Sequence, residues 1–370
     1  MSVTALHPLR HGCTQCGNSC RGHFISPLDK AFTKRLPTIM ETLGPLYPDL
    51  QDASPTISPS INGRTRTGLA NKADGECLFL GQDNLCRIHK HLGAQAKPLL
   101  CRTFPLAIIH TATEIRLGTP TRCYAQHQHW DQGPGQSPMG LTGLREEELP
   151  DPVPRGPLPN QRAQLQARPA PDSQYAQTLL QEDTLMHLLH QTPLTLETLT
   201  LFTAEMLANH TNTDIQELGE LLRARLARLG KSMVASIAPQ ADRMRPGTHF
   251  WHLKALAEAM AALQPRPWPV LTQTQMDYSL YVLREWLFLR EWTHHPSLPH
   301  GVLVMIAGLM LAAWRAQDAP NTPEGAVGDT FGHSMTAWMR LMHMGNNTRG
   351  LISDADDLDA LLRAASSPPT

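Results

Sequence analysis

Seven cysteines carry the most specific chemistry in this sequence, and all lie in its first third: Cys13, Cys16, Cys20, Cys77, Cys86, Cys101 and Cys123. The first group is Cys13-Thr-Gln-Cys16-Gly-Asn-Ser-Cys20. A C-x2-C pair lets two thiolates reach one metal ion from a single tight turn, and Gly17 permits that backbone. Cys16 and Cys20 are four positions apart, so a helix starting there would put both on one face. The second group, Cys77-Leu-Phe-Leu through Cys86-Arg-Ile-His, reads as a hairpin with its turn over 81–84. In that register Phe79 faces Cys86 and Leu80 faces Leu85. Cys77 is then the diagonal neighbour of Cys86, at roughly 7–8 Å between Cα atoms. Lys97-Pro-Leu-Leu-Cys101-Arg-Thr-Phe-Pro105 supplies the next cysteine, and Cys123 follows a short strand predicted over 114–117.

An odd number of clustered cysteines argues against a disulfide framework and for metal binding or catalysis. A tetrahedral zinc takes four thiolates, and a four-iron cluster also takes four. Seven exceeds one such site. Either some cysteines are structural, packing as small hydrophobes, or the site holds several metals with bridging thiolates. His23, His89 and His91 are supplementary candidates. Arg87, Lys90, Lys97 and Arg102 surround the cysteines. Three readings of that charge stay open: a patch for phosphate, nucleic acid or an acidic partner, compensation for metal thiolates, and ordinary solvated surface. Nothing marks one cysteine as a nucleophile with a histidine base.

The elements that must position these residues follow from the rest of the chain. It has 370 residues, 32 Lys+Arg against 33 Asp+Glu, and 41% hydrophobic residues. That excludes wholesale disorder, and the balanced charge argues against a dedicated nucleic-acid-binding protein. The first ten residues show no secretory signal. The longest apolar run, 301–314, is 14 residues long, short of the roughly 17–25 that span a bilayer. It is expected to be a buried helix, and the protein to be cytoplasmic with no membrane partner and reduced thiols. Pro and Gly saturate 131–174, which reads as a linker. A second flexible stretch is expected over 50–72. Beyond 175 the apolar residues recur at helical spacing, in segments 175–191, 195–209, 213–229, 250–263, 277–293, 301–317, 333–344 and 355–365. Gly230 reads as a helix stop, and 277–293 is apolar nearly all round, so that helix is expected to be central.

With the cysteines in place, the chain resembles the YkgJ-type cysteine-cluster family, which is described as a zinc- or iron-chelating domain and is related to flagellin lysine-N-methylase. The resemblance rests on Cys13-Thr-Gln-Cys16-Gly17, Cys77-Leu-Phe-Leu80, Cys86-Arg-Ile-His89 and Lys97-Pro-Leu-Leu-Cys101-Arg-Thr-Phe-Pro105. It covers 10–125. The family carries paired cysteines where this chain has Ser19 and Cys20. The resemblance implies zinc or an iron–sulfur cluster on Cys13, Cys16, Cys20, Cys77, Cys86 and Cys101, with Cys123 as a further ligand.

It also implies, as an alternative, an S-adenosylmethionine-dependent lysine N-methyltransferase acting on a protein substrate. No Gly-rich loop follows a strand, which leaves a Rossmann-type cofactor site unsupported. The order C-x2-C-x3-C also reverses the spacing of radical enzymes. A helical domain presenting a groove to a partner is a third reading. The sequence as a whole predicts a mainly α protein. A small, irregular, metal-stapled α+β domain (1–130) joins an all-helical domain (175–370) through the 131–174 linker.

Overall fold

Apolar residues at helical spacing build most of the molecule, which is mainly α as predicted. The computed structural model describes residues 2–6, 16–21, 25–26, 28–61, 64–110, 114–119, 123–124, 126–128, 130, 153–154, 174–190, 195–196, 198–200, 215–241, 249–291, 298–319 and 329–343.

The amino-terminal unit is organised by α1 (Lys30–Leu43). Asp29 caps it, its carboxylate accepting the Phe32 N–H at 2.8 Å. The other Asp29 oxygen accepts from the Leu99 N–H at 2.8 Å, so one cap also pins the segment leading to Cys101. Phe32, Leu36, Ile39 and Leu43 form the buried stripe of α1. They meet Leu69, Leu78, Phe79, Leu80 and Ile88 in a small core that includes Cys77, with Cys20 and Cys86 packed against it. Around it lie α2 (Pro48–Gln51), α3 (Arg87–Leu92) and α4 (Leu99–Thr103). The stretch expected to be flexible forms two short ladders. In one, β2 (Thr56–Ile57) pairs with β5 (Gly68–Leu69), and in the other β3 (Ser60–Ile61) pairs with β4 (Arg64–Thr65).

A second layer joins this unit to the helices. β7 (Glu114–Gly118), where the sequence predicts a strand, pairs antiparallel with β6 (Ala107–His110) and parallel with β1 (Ser2–Ala5). β8 (Val153–Pro154) adds on the far edge of β6, the kind of edge position that tolerates proline. Apart from β8 and Gln174, the Pro/Gly-rich stretch 131–174 lies outside the described residues.

Ala107 and Ile109 of β6 pack on Phe288 and Leu289 of the helical body. Beside them Glu182 receives Arg116 Nη1 and Arg290 Nε, each at 3.0 Å. Buried charges survive when paired in this way. β6 and β7 therefore seat on the helical body.

That body comprises α5 (Gln174–Leu188), α6 (Ile215–Ala241), α7 (His249–Ala261), α8 (Gln273–Phe288), α9 (Leu298–Asp318) and α10 (Asp329–His343). Thr272 and Gln275 close a reciprocal capping box at the start of α8. The stretch Gly301–Asp318 of α9 is long and apolar enough to cross a membrane, and 78% of it is buried within the chain. That agrees with the expected buried helix. The predicted helix 355–365 lies outside the described residues, as do 197 and 201–209 of the predicted helix 195–209.

The expected helix stop fails. Gly230 does not stop a helix, because α6 runs through it to Ala241. A Cβ at Gly230 would lie 2.3 Å from the Ala261 nitrogen and 2.6 Å from Met260 Cβ. The missing side chain serves close contact between α6 and α7. On an exposed helix face, Gly→Ala gains up to about 1 kcal/mol. Here Gly230→Ala is predicted to destabilise by about 1–3 kcal/mol through overpacking. Urea denaturation reads the sign, and a stabilised variant would contradict the close packing.

Candidate metal centre

Arg21 is the organising side chain of the cysteine region. Its Nε donates to Glu76 Oε1 at 2.8 Å, its Nη1 donates to the Cys16 carbonyl at 2.8 Å, and its Nη2 donates to Asn84 Oδ1. One planar guanidinium thus ties the first cysteine loop to both ends of the second cysteine segment, a task its fixed fork of donors suits. Gly17 has φ +70, and a Cβ there would lie 2.9 Å from Arg21 Nη1. Glycine is required both for the left-handed backbone and for the room the guanidinium takes.

The backbone completes the arrangement. Cys20 sits in a 3-10 turn over Asn18–Cys20, and its carbonyl accepts the Cys77 N–H at 2.8 Å. Cys20 and Cys77 are therefore direct neighbours across an antiparallel contact anchored by the Arg21–Glu76 bridge. Because the turn is 3-10 and short, Cys16 and Cys20 do not share an α-helical face.

The predicted hairpin over 77–89 is corrected in two respects. The Cys77–Leu80 stretch is not extended: Leu80 N–H bonds back to the Cys77 carbonyl at 2.9 Å, closing a turn. The register also shifts by one, with Leu80 opposite Cys86 and the Arg87 N–H on the Phe79 carbonyl at 2.8 Å. The cause is local. Asn84 adopts φ +61 and Asp83 Oδ1 accepts the Leu85 N–H at 3.2 Å, which adds a residue to the connecting turn.

Cys20, Cys77, Cys86 and Cys101, from three segments, influence one another electrostatically. Burial pushes the Cys77 thiol up to about 12, with Cys86 adding to the shift and Lys72 opposing it. Burial likewise pushes the Cys101 thiol well up. Cys77, Cys20 and Cys86 then raise it further, while Lys97 lowers it. The Cys101 residue is half-buried by area, yet enclosure of its sulfur dominates its titration. Each of Cys20, Cys77 and Cys86 is thus felt electrostatically at Cys101. None of the six described cysteines forms a disulfide. Among the described residues, no three His, Cys, Asp or Glu side chains are disposed to hold a metal ion as they stand.

The remaining predicted ligands divide. Cys16 lies in the same loop, held through its carbonyl by Arg21. Cys13 and His23 lie outside the described residues. Cys123 belongs to the helical body. Its carbonyl accepts from Thr336 Oγ1 at 3.5 Å, and its thiol is felt by the buried Tyr278. His91 Nε2 is engaged by Tyr47 Oη at 2.8 Å. His89 shares Lys97 with Cys101, and burial followed by that lysine lowers its pKa.

The basic residues are largely committed as well. Arg87 grips both Asp49 oxygens at 2.8–2.9 Å and lies over the Tyr47 ring, and Lys90 meets Asp83 at 2.7 Å. Lys72 and Lys97 are the cations that act on the thiols.

Sequence reading missed three features. The Arg21–Glu76 pair spans 55 positions, and only a lone acidic residue beside a cysteine hinted at it. Ser19 accepts from Arg340 Nη2 at 3.3 Å, and that guanidinium lies over the buried Tyr124 ring. Glu285 is 2% exposed inside α8. It accepts the Thr119 N–H at 3.0 Å, and burial raises it to about 7. Its signal was an acidic residue in a helix otherwise apolar all round. Compared with known proteins, the chain matches no family model, no curated protein and no solved structure.

Two predictions follow from these contacts. Arg21→Ala removes the 2.8 Å partner of the buried Glu76 carboxylate, beside which Lys72 stands at 3.7 Å. It should cost about 3 kcal/mol, read by urea denaturation, with the amides of 77–80 losing hydrogen-exchange protection first. Unchanged protection there would show that the clamp holds nothing.

The Glu285 carboxyl is raised in the folded state, so its contribution is full below its unfolded value and is lost as pH rises through about 7. Glu285→Gln lacks that loss. Its stability relative to the native chain should rise by about 3 kcal/mol between roughly pH 4 and pH 8. A pH-independent difference in thermal unfolding would contradict the raised value.

Proposed function

We propose that this chain is a metalloprotein that holds zinc or an iron–sulfur cluster on its amino-terminal cysteines, in a reducing, cytoplasmic setting. The observation that carries the reading is the packing of Cys20, Cys77 and Cys86 at one small core, together with the electrostatic effect of all three on Cys101. Their sulfurs are the soft donors that such metals select. Cys13 and Cys16, in the same amino-terminal stretch, extend the set, while Cys123 is assigned a packing role in the helical body.

Loading an ion takes side-chain rotation that turns the sulfurs to a common point, together with loss of the thiol protons. Binding therefore releases protons and contributes to folding. Lys72 and Lys97 offset the thiolate charge. Zinc would supply a structural cross-link, and an iron–sulfur cluster would supply redox chemistry. The family reading of the sequence motifs agrees with this assignment.

The test is metal analysis with an absorption spectrum on anaerobically purified protein, run beside Cys77→Ser, Cys101→Ser and Cys123→Ser. Stoichiometric zinc, or iron with sulfide, is expected in the native chain and in Cys123→Ser. It should be lost in the other two. A metal-free native chain that unfolds no earlier than its metal-supplemented counterpart would overturn the proposal.

A further inference from the structure

Arg21 and Glu76 are antiparallel backbone partners, and their side chains meet at 2.8 Å. Side chains alternate between the two faces of an extended pair, and residues directly opposite share a face. One step along, the same register sets Cys20 opposite Cys77, whose N–H donates to the Cys20 carbonyl at 2.8 Å. The two cysteine side chains therefore take the face turned away from the ion pair. That face is the small amino-terminal core: Cys77 belongs to it and Cys20 packs against it. Directly opposite antiparallel residues have Cα atoms about 4.5–5.5 Å apart, inside the roughly 4.4–6.8 Å window of a disulfide.

Both cysteines are reduced here, and they differ in access. Cys77 is 5% exposed, whereas Cys20 is half-buried. An oxidant arriving from solvent meets Cys20 first, and Cys77 stands behind it as the resolving thiol. The clamp keeps the two segments together without using any sulfur, since Arg21 holds Glu76 and the Cys16 carbonyl.

We propose that Cys20 and Cys77 form a redox pair, which a hydroperoxide closes to a disulfide when no metal occupies the cysteines. In the first step one peroxide oxygen bonds to Cys20 Sγ as the O–O bond breaks. The Cys20 thiol proton goes to the departing oxygen, which leaves as an alcohol, or as water from hydrogen peroxide. Cys77 Sγ then bonds to Cys20 Sγ, and the sulfenic hydroxyl leaves as water with the Cys77 thiol proton. The two sulfurs lose two electrons and the peroxide gains them. A dithiol reductant reopens the bond by exchange. Closure withdraws Cys20 and Cys77 as metal donors, so oxidation and metal loading exclude each other. That exclusion rests on the metal reading, whereas the pairing itself does not.

The experiment treats the full chain, reduced and depleted of metal by chelation, with hydrogen peroxide. Thiols are counted, and disulfides are mapped by mass spectrometry of proteolytic peptides. Loss of two thiols per chain and a linked Cys20–Cys77 peptide are expected, both reversed by dithiothreitol. Cys77→Ser should stop at a Cys20 sulfenic acid that dimedone traps, and Cys86→Ser should still give the linked peptide. If Cys77→Ser does not fold, Cys20→Ser carries the comparison, with loss of disulfide closure expected. Absence of the linked peptide, or a preferred link from Cys77 to Cys86 or Cys101, would overturn the pairing. The same treatment of zinc-loaded chain should give slower closure, with zinc released as the linked peptide forms. A linked peptide with zinc fully retained would overturn the exclusion. A chain that takes up no zinc or iron yet gives the linked peptide would count against the metal reading and support the pair.

Discussion

The cysteine region depends on one guanidinium. Arg21 reaches Glu76, the Cys16 carbonyl and Asn84 at once, and so fixes three segments that share no regular secondary structure. A core this small cannot position four thiols by packing alone. The polar clamp supplies registration: Cys20 and Cys77 become backbone neighbours next to the Arg21–Glu76 contact. Gly17 follows as a consequence, since its left-handed backbone and missing side chain leave room for Arg21. The Cys16-Gly17 pair thus anchors this loop, through the Cys16 carbonyl and the room left at Gly17.

Enclosure gives the thiols their second property. Buried sulfur resists ionisation, and neighbouring sulfurs make it harder still at Cys101. A cation that binds several of them at once removes that penalty, because it replaces mutual repulsion with shared attraction. The joint between this unit and the helices uses the opposite strategy. There Arg116 and Arg290 meet Glu182, Arg116 also meets Glu114, and Ala107 and Ile109 pack on Phe288 and Leu289. The joint closes through ion pairs and apolar contacts of the chain's own residues.

Much of this was legible in the sequence where a single period or spacing carried it. Helices from 174 onward follow from the recurrence of apolar residues, and α9 was readable as buried from its composition. The cysteine grouping was readable in outline. What was not legible depended on contacts between distant positions or on one residue type with two uses. Gly230 looked like a stop because glycine serves both as a helix end and as a close contact, and only Ala261 across the interface decides between them. The turn after Leu80 gained a residue through Asp83 and Asn84, which shifted the pairing of Cys86. Cys123 shared the cysteine type and the neighbourhood in sequence, yet it packs with the helices. Glu285 was hidden because an apolar helix is read by its majority.

The most direct measurement of the central claim is X-ray absorption at the metal edge of the anaerobically purified chain. The account predicts a first shell dominated by sulfur, with about four sulfurs at roughly 2.3 Å if the metal is zinc. A shell of nitrogen and oxygen, or no zinc or iron edge above background, would contradict it.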